Sequence, residues 1–404
     1  MRATHPLRLP TSCTLRRLSA LTVVTLALTI SSCSLREGTQ SLAITSLTAR
    51  EADAVKPQDS ISDMDNQPLS TASGVVTMST SYVAGGIGST AKEMATTVVS
   101  RERSTDKFQW AVSIKPAVAD QERTEYTNSA QSAMNNAMGR SSTGSVVVSP
   151  NGRHLSLILL PAEQQAGESA ADLRTHIVVL EAKTGKTVRD ATVSGIVLGQ
   201  ALTNSSLVVE TAQNYFPAGS GKGILTTFSL TDASAQPFSF PTDKWLVGAT
   251  RENLVLAPNR LPDDCVYGCS LTTVSLVSTE GTTTKSVSGV TAVHPGGWIH
   301  RFADPKAASA LHLRSKAATE EERKAISSSW ETLEQQLVNP SIKKTIDITG
   351  KNTFERDVPT GPGLLVKQEV PTGNSSTESK PAFWLSSADD GHPHTENLEQ
   401  FENH

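Results

Sequence analysis

The chain has 404 residues, with 40 acidic against 36 basic side chains, a formal net charge of −4 and aromatic residues at 4%. An acidic balance argues against a nucleic-acid partner, whose phosphates have to be neutralised by Lys and Arg, and against a polybasic membrane patch. Thr, Ser, Val and Gly are abundant, which favours strands and turns over helices.

The first seventeen residues carry Arg2, Arg8, Arg16 and Arg17 and no acid, and Leu18 to Ile30 form an apolar run. A basic stretch followed by a short apolar one is the pattern of a secretory signal. A membrane-spanning helix needs about 20 apolar residues, so this run is too short for a permanent peptide anchor. Ile30-Ser31-Ser32-Cys33 comes next. It resembles the lipobox of bacterial lipoproteins. That resemblance implies removal of residues 1–32, a diacylglyceryl group on the Cys33 thiol and attachment to the outer face of the cytoplasmic membrane. Each buried methylene contributes about 0.8 kcal/mol, so two or more acyl chains hold a protein stably on a bilayer. Loss of residues 1–32 removes four arginines and no acid, leaving 32 basic against 40 acidic residues and a charge of −8.

Residues 33–70 show Ser, Thr, Asp, Gln and Pro without a sustained apolar period, which predicts a flexible tether. Val75 to Val83, Met94 to Ser100 and Phe108 to Lys115 read as irregular early strands, and residues 118–143 as a surface loop. From Gly144 the pattern is regular. Val146 to Ser149, the turn Pro150-Asn151-Gly152-Arg153, His154 to Leu160, Ile177 to Leu180 and Thr187-Val188 make four strands in under fifty residues, by apolar alternation and turn chemistry. Ile196 to Gly199, Leu207 to Glu210 and Leu225 to Leu230 begin a second copy, and Trp245 to Gly248, Leu254 to Leu256 and Leu271 to Ser278 a third. Turns at Gly185, Ser234 and Gly281 recur about every 48 residues, and Gly350 follows after 69. The excess is predicted to be one inserted helix, Thr319 to Asn339, opened by the capping box of Thr319 and Glu322 and closed by Asn339-Pro340. Ile326, Trp330, Leu333 and Leu337 then share one face, either packed on a neighbouring repeat or presented to a partner protein. Gly363 to Glu369 and Pro381 to Ser386 read as a further repeat, and residues 391–404 as a disordered acidic tail.

A repeat of this length is the mark of solenoids and propellers. The copies resemble the four-stranded blades of bacterial β-propellers in the broad WD40-like and quinoprotein-like sense, most clearly over residues 144–290. Ser149-Pro150-Asn151-Gly152-Arg153 resembles a turn common there. The expected fold is all-β: a propeller over residues 71–390 with about seven blades, six to eight being the range, and one helical insertion over 319–339.

Chemical motifs are few. Cys265 and Cys269, separated by three residues of which Gly268 is one, are expected to form a loop-stapling disulfide outside the membrane. A redox pair would show two intervening residues, and two ligands make a poor zinc site. Ala218 to Gly223 lacks the first Gly and the Ser or Thr of a phosphate loop, and Ser89-Thr90-Ala91-Lys92 lacks the companion motifs of serine acyl-transfer enzymes. His294, Trp298 and His300 surround a tight turn and form a candidate pocket lining the central channel. No metal and no cofactor is expected. The leading reading is a membrane-anchored, non-enzymatic binding or scaffold module for an envelope protein or glycan. The alternatives are a propeller enzyme or sensor with a channel site, of the quinoprotein dehydrogenase or lyase kind, and a cell-envelope assembly factor acting through the helix.

Overall fold

The computed structural model describes residues 41–55, 68–83, 93–119, 144–161, 170–213, 223–258, 271–317, 319–371 and 377–401. Cys33, Cys265 and Cys269 lie outside them. No helix among the described residues is long and apolar enough to cross a membrane.

The chain is an all-β propeller. Strands β1 (Ala43–Leu47), β2 (Leu69–Ser70), β3 (Val75–Val83), β4 (Glu93–Arg101) and β5 (Phe108–Lys115) form the first sheet in the order β1-β5-β4-β3-β2. Blade 2 is β6 (Val146–Val148), β7 (His154–Ile158), β8 (Arg174–Glu181) and β9 (Thr187–Ser194), and blade 3 is β10 (Ile196–Leu202), β11 (Ser206–Ala212), β12 (Gly223–Ser229) and β13 (Phe238–Thr242). Blade 4 is β14 (Trp245–Ala249), β15 (Leu254–Ala257), β16 (Thr272–Val277) and β17 (Thr283–His294). The long β17 pairs with β16 through its first half and with β18 (Trp298–Phe302) through its second. Its end therefore serves as the first strand of blade 5, completed by β19 (Gln335–Asn339) and β20 (Lys344–Asp347). Blade 6 is β21 (Lys351–Val358), β22 (Gly361–Pro371) and β23 (Thr377–Ser386), with a single bridge from Trp384 to His394 in fourth place. Six blades are thus present among the described residues, inside the expected range, and a seventh is not confirmed.

Burial follows position in the blade. Every residue of β11 is buried, whereas the outer strand β9 alternates, with Arg189, Ala191 and Val193 inward and Asp190, Thr192 and Ser194 outward. Strands covered on both faces read as continuous apolar runs, and half-covered ones alternate. The turns joining first and second strands form a ring. The Ala72 amide donates to the Gly152 carbonyl (2.9 Å), that of Asn151 to Asn204 Oδ1 (3.1 Å) and that of Asn204 to the Arg251 carbonyl (2.9 Å). Gly297 lies against Thr250, Gly296 against Ser387 and Gly361 against Thr71, which closes the circle.

The 48-residue period has a packing cause. In three successive seams a side chain from the fourth strand of one blade, counted outward from the ring of turns, rests on the turn after the third strand of the next. Trp110 covers Gly185 and donates to the Ala182 carbonyl (2.9 Å), Arg189 donates to the Ala233 carbonyl (2.5 Å), and Phe240 covers Gly281. At Gly185 a Cβ would stand 2.5 Å from the Trp110 ring, and φ is +69°, so glycine is required twice over. Gly350 is not the fourth of these turns. It joins β20 to β21, and the turn after the third strand of blade 5 is residues 340–343, with Lys343 at φ 54°.

Three further expectations are corrected. The tether does not run to residue 70, because β1 pairs with β5 and Thr48 caps the helix α1 (Ala49–Ala54) with a full capping box. The insertion is two helices, α2 (Pro305–Ala317) and α3 (Glu320–Thr332), and the second stops at Leu333. Leu337 is therefore not on the helix. It lies in β19 opposite His300, because residues from Gln335 onward exchange helical hydrogen bonds for those of the sheet. Finally, the C-terminal residues 391–401 are packed rather than loose: Trp384 stacks on His394, and Phe401 is buried against Val358, Leu365 and Trp384.

Candidate functional site

The turn at 295–297 sets the first group of side chains. Gly296 and Gly297 have φ of +78° and +79°, and a Cβ on them would approach Ser387 and Thr250 to 2.9 and 2.7 Å. This tight reversal pairs His294 with Trp298 and Ala292 with His300, so His294, Trp298 and His300 share one face of the sheet. The structure brings the two histidines together, ring centroids 6.3 Å apart and 28° from parallel. Trp298 is separate from them in role. It is 1% exposed and packs with Leu337, Leu364, Val366 and Leu385 in the core between blades 5 and 6.

Around the histidines, His294 Nδ1 lies 3.0 Å from Glu355 Oε1 of blade 6, and His300 Nε2 lies 3.0 Å from Gln335 Oε1. Burial, reinforced by neighbouring His294, pushes the His300 pKa down to about 4 against the opposing hydrogen bond from Gln335, so that ring is neutral at physiological pH. A carboxylate that orients an imidazole is one half of an acid–base device. The other ring nitrogen, His294 Nε2, is buried and makes no hydrogen bond, so no substrate atom reaches it in this conformation. No group of three His, Cys, Asp or Glu suited to a metal occurs among the described residues.

The face of α3 is likewise occupied. Ile326 and Trp330 are buried with Phe302 and Ala308, Leu333 packs at their edge, and the Phe302 and Trp330 rings are 5.1 Å apart. These side chains hold the helical hairpin on its own blade.

A third place was not visible in the sequence motifs. Blades 3 and 4 enclose a cleft of about 920 Å³. Ile224, Phe240, Leu256 and Val277 give it apolar walls, and Gln213, Thr242, Asp243 and Lys244 give it a polar rim. Against Gly223 of the lining lies Glu210, 1% exposed, which accepts from the Leu246 amide at 3.0 Å, and Lys244 Nζ donates to Ser275 Oγ at 2.8 Å. The signal that marks this place is Glu210 itself, a carboxylate set in the otherwise uncharged buried strand Ser206–Ala212. Burying a charge is costly without partners, so such a residue flags an organised polar site.

No protein-family model matches the chain, and no curated protein matches it either. Among solved structures, the β-propeller domain of the Trilobed protease from Pyrococcus furiosus is 8% identical, with a TM-score of 0.34 over 64% of this chain and 72% of that one. Pyrococcus horikoshii acylaminoacyl peptidase is also 8% identical with a TM-score of 0.34, over 83% of this chain and 53% of its own. TolB from Acinetobacter baumannii is 11% identical with a TM-score of 0.31, over 78% and 63%. The chain therefore spans little more than half of the peptidase it resembles. The propeller assignment rests on the strand order and the closed ring of turns.

Proposed function

We propose that this chain is an exported, lipid-anchored propeller that works as a binding module, held to the membrane through Cys33 and offering the cleft between blades 3 and 4 to a glycan or protein of the cell envelope. The observation that carries the binding reading is the cleft itself. Its 920 Å³, apolar walls and polar rim match the usual ligand site, roughly 300–1,000 Å³ with a few polar groups around an apolar lining. The address is supported by the arginine-rich leader, the apolar run Leu18 to Ile30 and the lead-in to Cys33.

Two experiments test these halves separately. Radiolabelled palmitate is expected to enter the wild type and not Cys33→Ser, and a mature N-terminus with an unmodified thiol would remove the anchor. A photocrosslinking residue at Phe240 is expected to trap an envelope glycan or protein. The same residue at exposed Phe354 on β21 serves as the control, and equal capture at both positions would remove the cleft.

The enzymatic reading keeps one observation, the Glu355–His294 pair contributed by two blades. It needs His294 Nε2 to become reachable. Treatment with diethyl pyrocarbonate is expected to leave His294 unmodified, and rapid modification would favour catalysis there.

A further inference from the structure

The chain leaves β23 at Ser387 and crosses the ring of turns. The Ser387 amide donates to the Pro362 carbonyl at 2.9 Å, and Arg251, in the ring turn of blade 4, donates to the carbonyls of Ser387 and Asp389. Gly391 then lies over Trp298 and Ile342. At His394 the segment exchanges two backbone hydrogen bonds with Trp384, both 2.9 Å, and the two rings stack at 3.9 Å and 8°. It ends with Phe401 buried on the face of blade 6 that carries Val358 and Leu365, the face opposite blade 5.

His394 is held from both sides. Its Nε2 lies 2.7 Å from Asp389 Oδ2, and its Nδ1 lies 2.7 Å from Glu396 Oε1. A neutral imidazole has one N–H and one lone pair, whereas the imidazolium donates from both nitrogens. Two carboxylates at hydrogen-bond distance therefore suit the charged ring alone, since a lone pair facing a carboxylate is repelled.

We infer that His394 is a proton-operated latch: charged, it fastens the segment 387–401 across the turns of blades 4 to 6 and onto blade 6, and on losing its proton it lets go of one carboxylate and the segment lifts. Asp389 is the coupling residue. Its Oδ1 accepts from the Gly391 amide at 2.8 Å while its carbonyl is held by Arg251, so releasing its other carboxylate oxygen loosens the strap where it crosses the ring. The remaining titratable side chains nearby are Asp390 and His392, an exposed pair 3.0 Å apart. Burial lowers the His394 pKa, but hydrogen bonds and charge from Asp389 and Glu396 outweigh it and the net shift is upward from 6.5. The latch is closed in acid and opens as the medium turns alkaline.

The test follows the His394 ring proton by NMR and the exchange of amides in 387–401 by mass spectrometry. The ring is expected to titrate above 6.5, and Asp389→Asn with Glu396→Gln to bring it down. After correction for intrinsic exchange, protection at about pH 6 is expected to exceed that at about pH 9 by roughly tenfold, and His394→Gln to show the low value at both. A midpoint at or below 6.5, or protection indifferent to pH or to His394→Gln, would overturn the latch.

Discussion

The seam between blades 2 and 3 and the seam that closes the ring, between blades 6 and 1, are built from different materials. The first is an apolar interlock of Ile158, Ile177, Val179, Leu202, Leu207, Val209 and Phe228, nearly all sealed from water. The second has no such cluster among the described residues. Blade 1 turns Val76 and Met78 toward blade 2, so the alternate positions Thr77 and Ser79 face the other way. On blade 6, the face opposite blade 5 is covered by the C-terminal segment itself. What joins the two ends is a clasp: Arg103 donates through Nε to both oxygens of Asp357 at 2.9 and 3.0 Å and through Nη2 to the Thr71 carbonyl at 2.7 Å, and Ser70 also bonds Asp357. Among the described residues the last blade takes no strand from the N-terminal part of the chain and meets blade 1 through this side-chain clasp, and charge is weaker glue than burial at a half-exposed site.

That contrast can be broken in order of expected size. Leu207→Ala, at a position with no exposed surface, is expected to cost about 2–5 kcal/mol in denaturant unfolding, the usual penalty for a core cavity. Gly297→Ala places a Cβ 2.7 Å from Thr250 at φ +79° and is expected to cost about 1–3 kcal/mol. Arg103→Gln is expected to cost about 1 kcal/mol or less. Its effect should be local, with faster amide exchange in 68–76 and 351–362 and none between blades 2 and 3. Raising the salt should mimic it, because partly exposed ion pairs are screened and apolar burial is not. If Arg103→Gln loosened blades 2 and 3 equally, the two seams would not be independent.

Acid sharpens the contrast through two histidines of opposite sign. His300 sits between blades 5 and 6 with its folded pKa depressed to about 4 from the usual 6.5. The unfolded chain binds the proton first, so stability is full above 6.5 and falls as pH drops toward 4. His394 has its folded pKa raised, so its contribution is full below 6.5 and is lost as pH climbs through the raised value. His300→Gln should flatten the acid limb of the stability curve and leave the alkaline limb alone; His394→Gln should do the reverse.

Much of the architecture is legible in the residues because it is local. Val75 to Val83 and Gly363 to Glu369 announce strands by composition, Thr319 and Glu322 announce a helix start, and Gly185 and Gly281 mark turns that only glycine can make. The helix end is not legible, because Leu337 continues the helical spacing by coincidence, and periodicity carries no information about which hydrogen bonds the sheet will claim. The candidate site was half legible. His294 and His300 stand six residues apart around an evident turn, but Glu355 and Gln335 come from elsewhere in the chain. The cleft was not legible, since its walls come from strands of two blades and no motif spans them.

By itself the sequence determined what depends on neighbours along the chain: the repeating strands, the turns and the polar alternation on β3. Tertiary structure alone decided what depends on distant segments meeting. It set the number of blades that close the ring, the clasp of Arg103 on Asp357, the burial of Glu210 against Gly223 of the cleft wall and the enclosure of His394 between two carboxylates. The reason is that hydrogen-bond geometry and side-chain period are local constraints, whereas closure of a ring is a sum over every seam and is written at no single position.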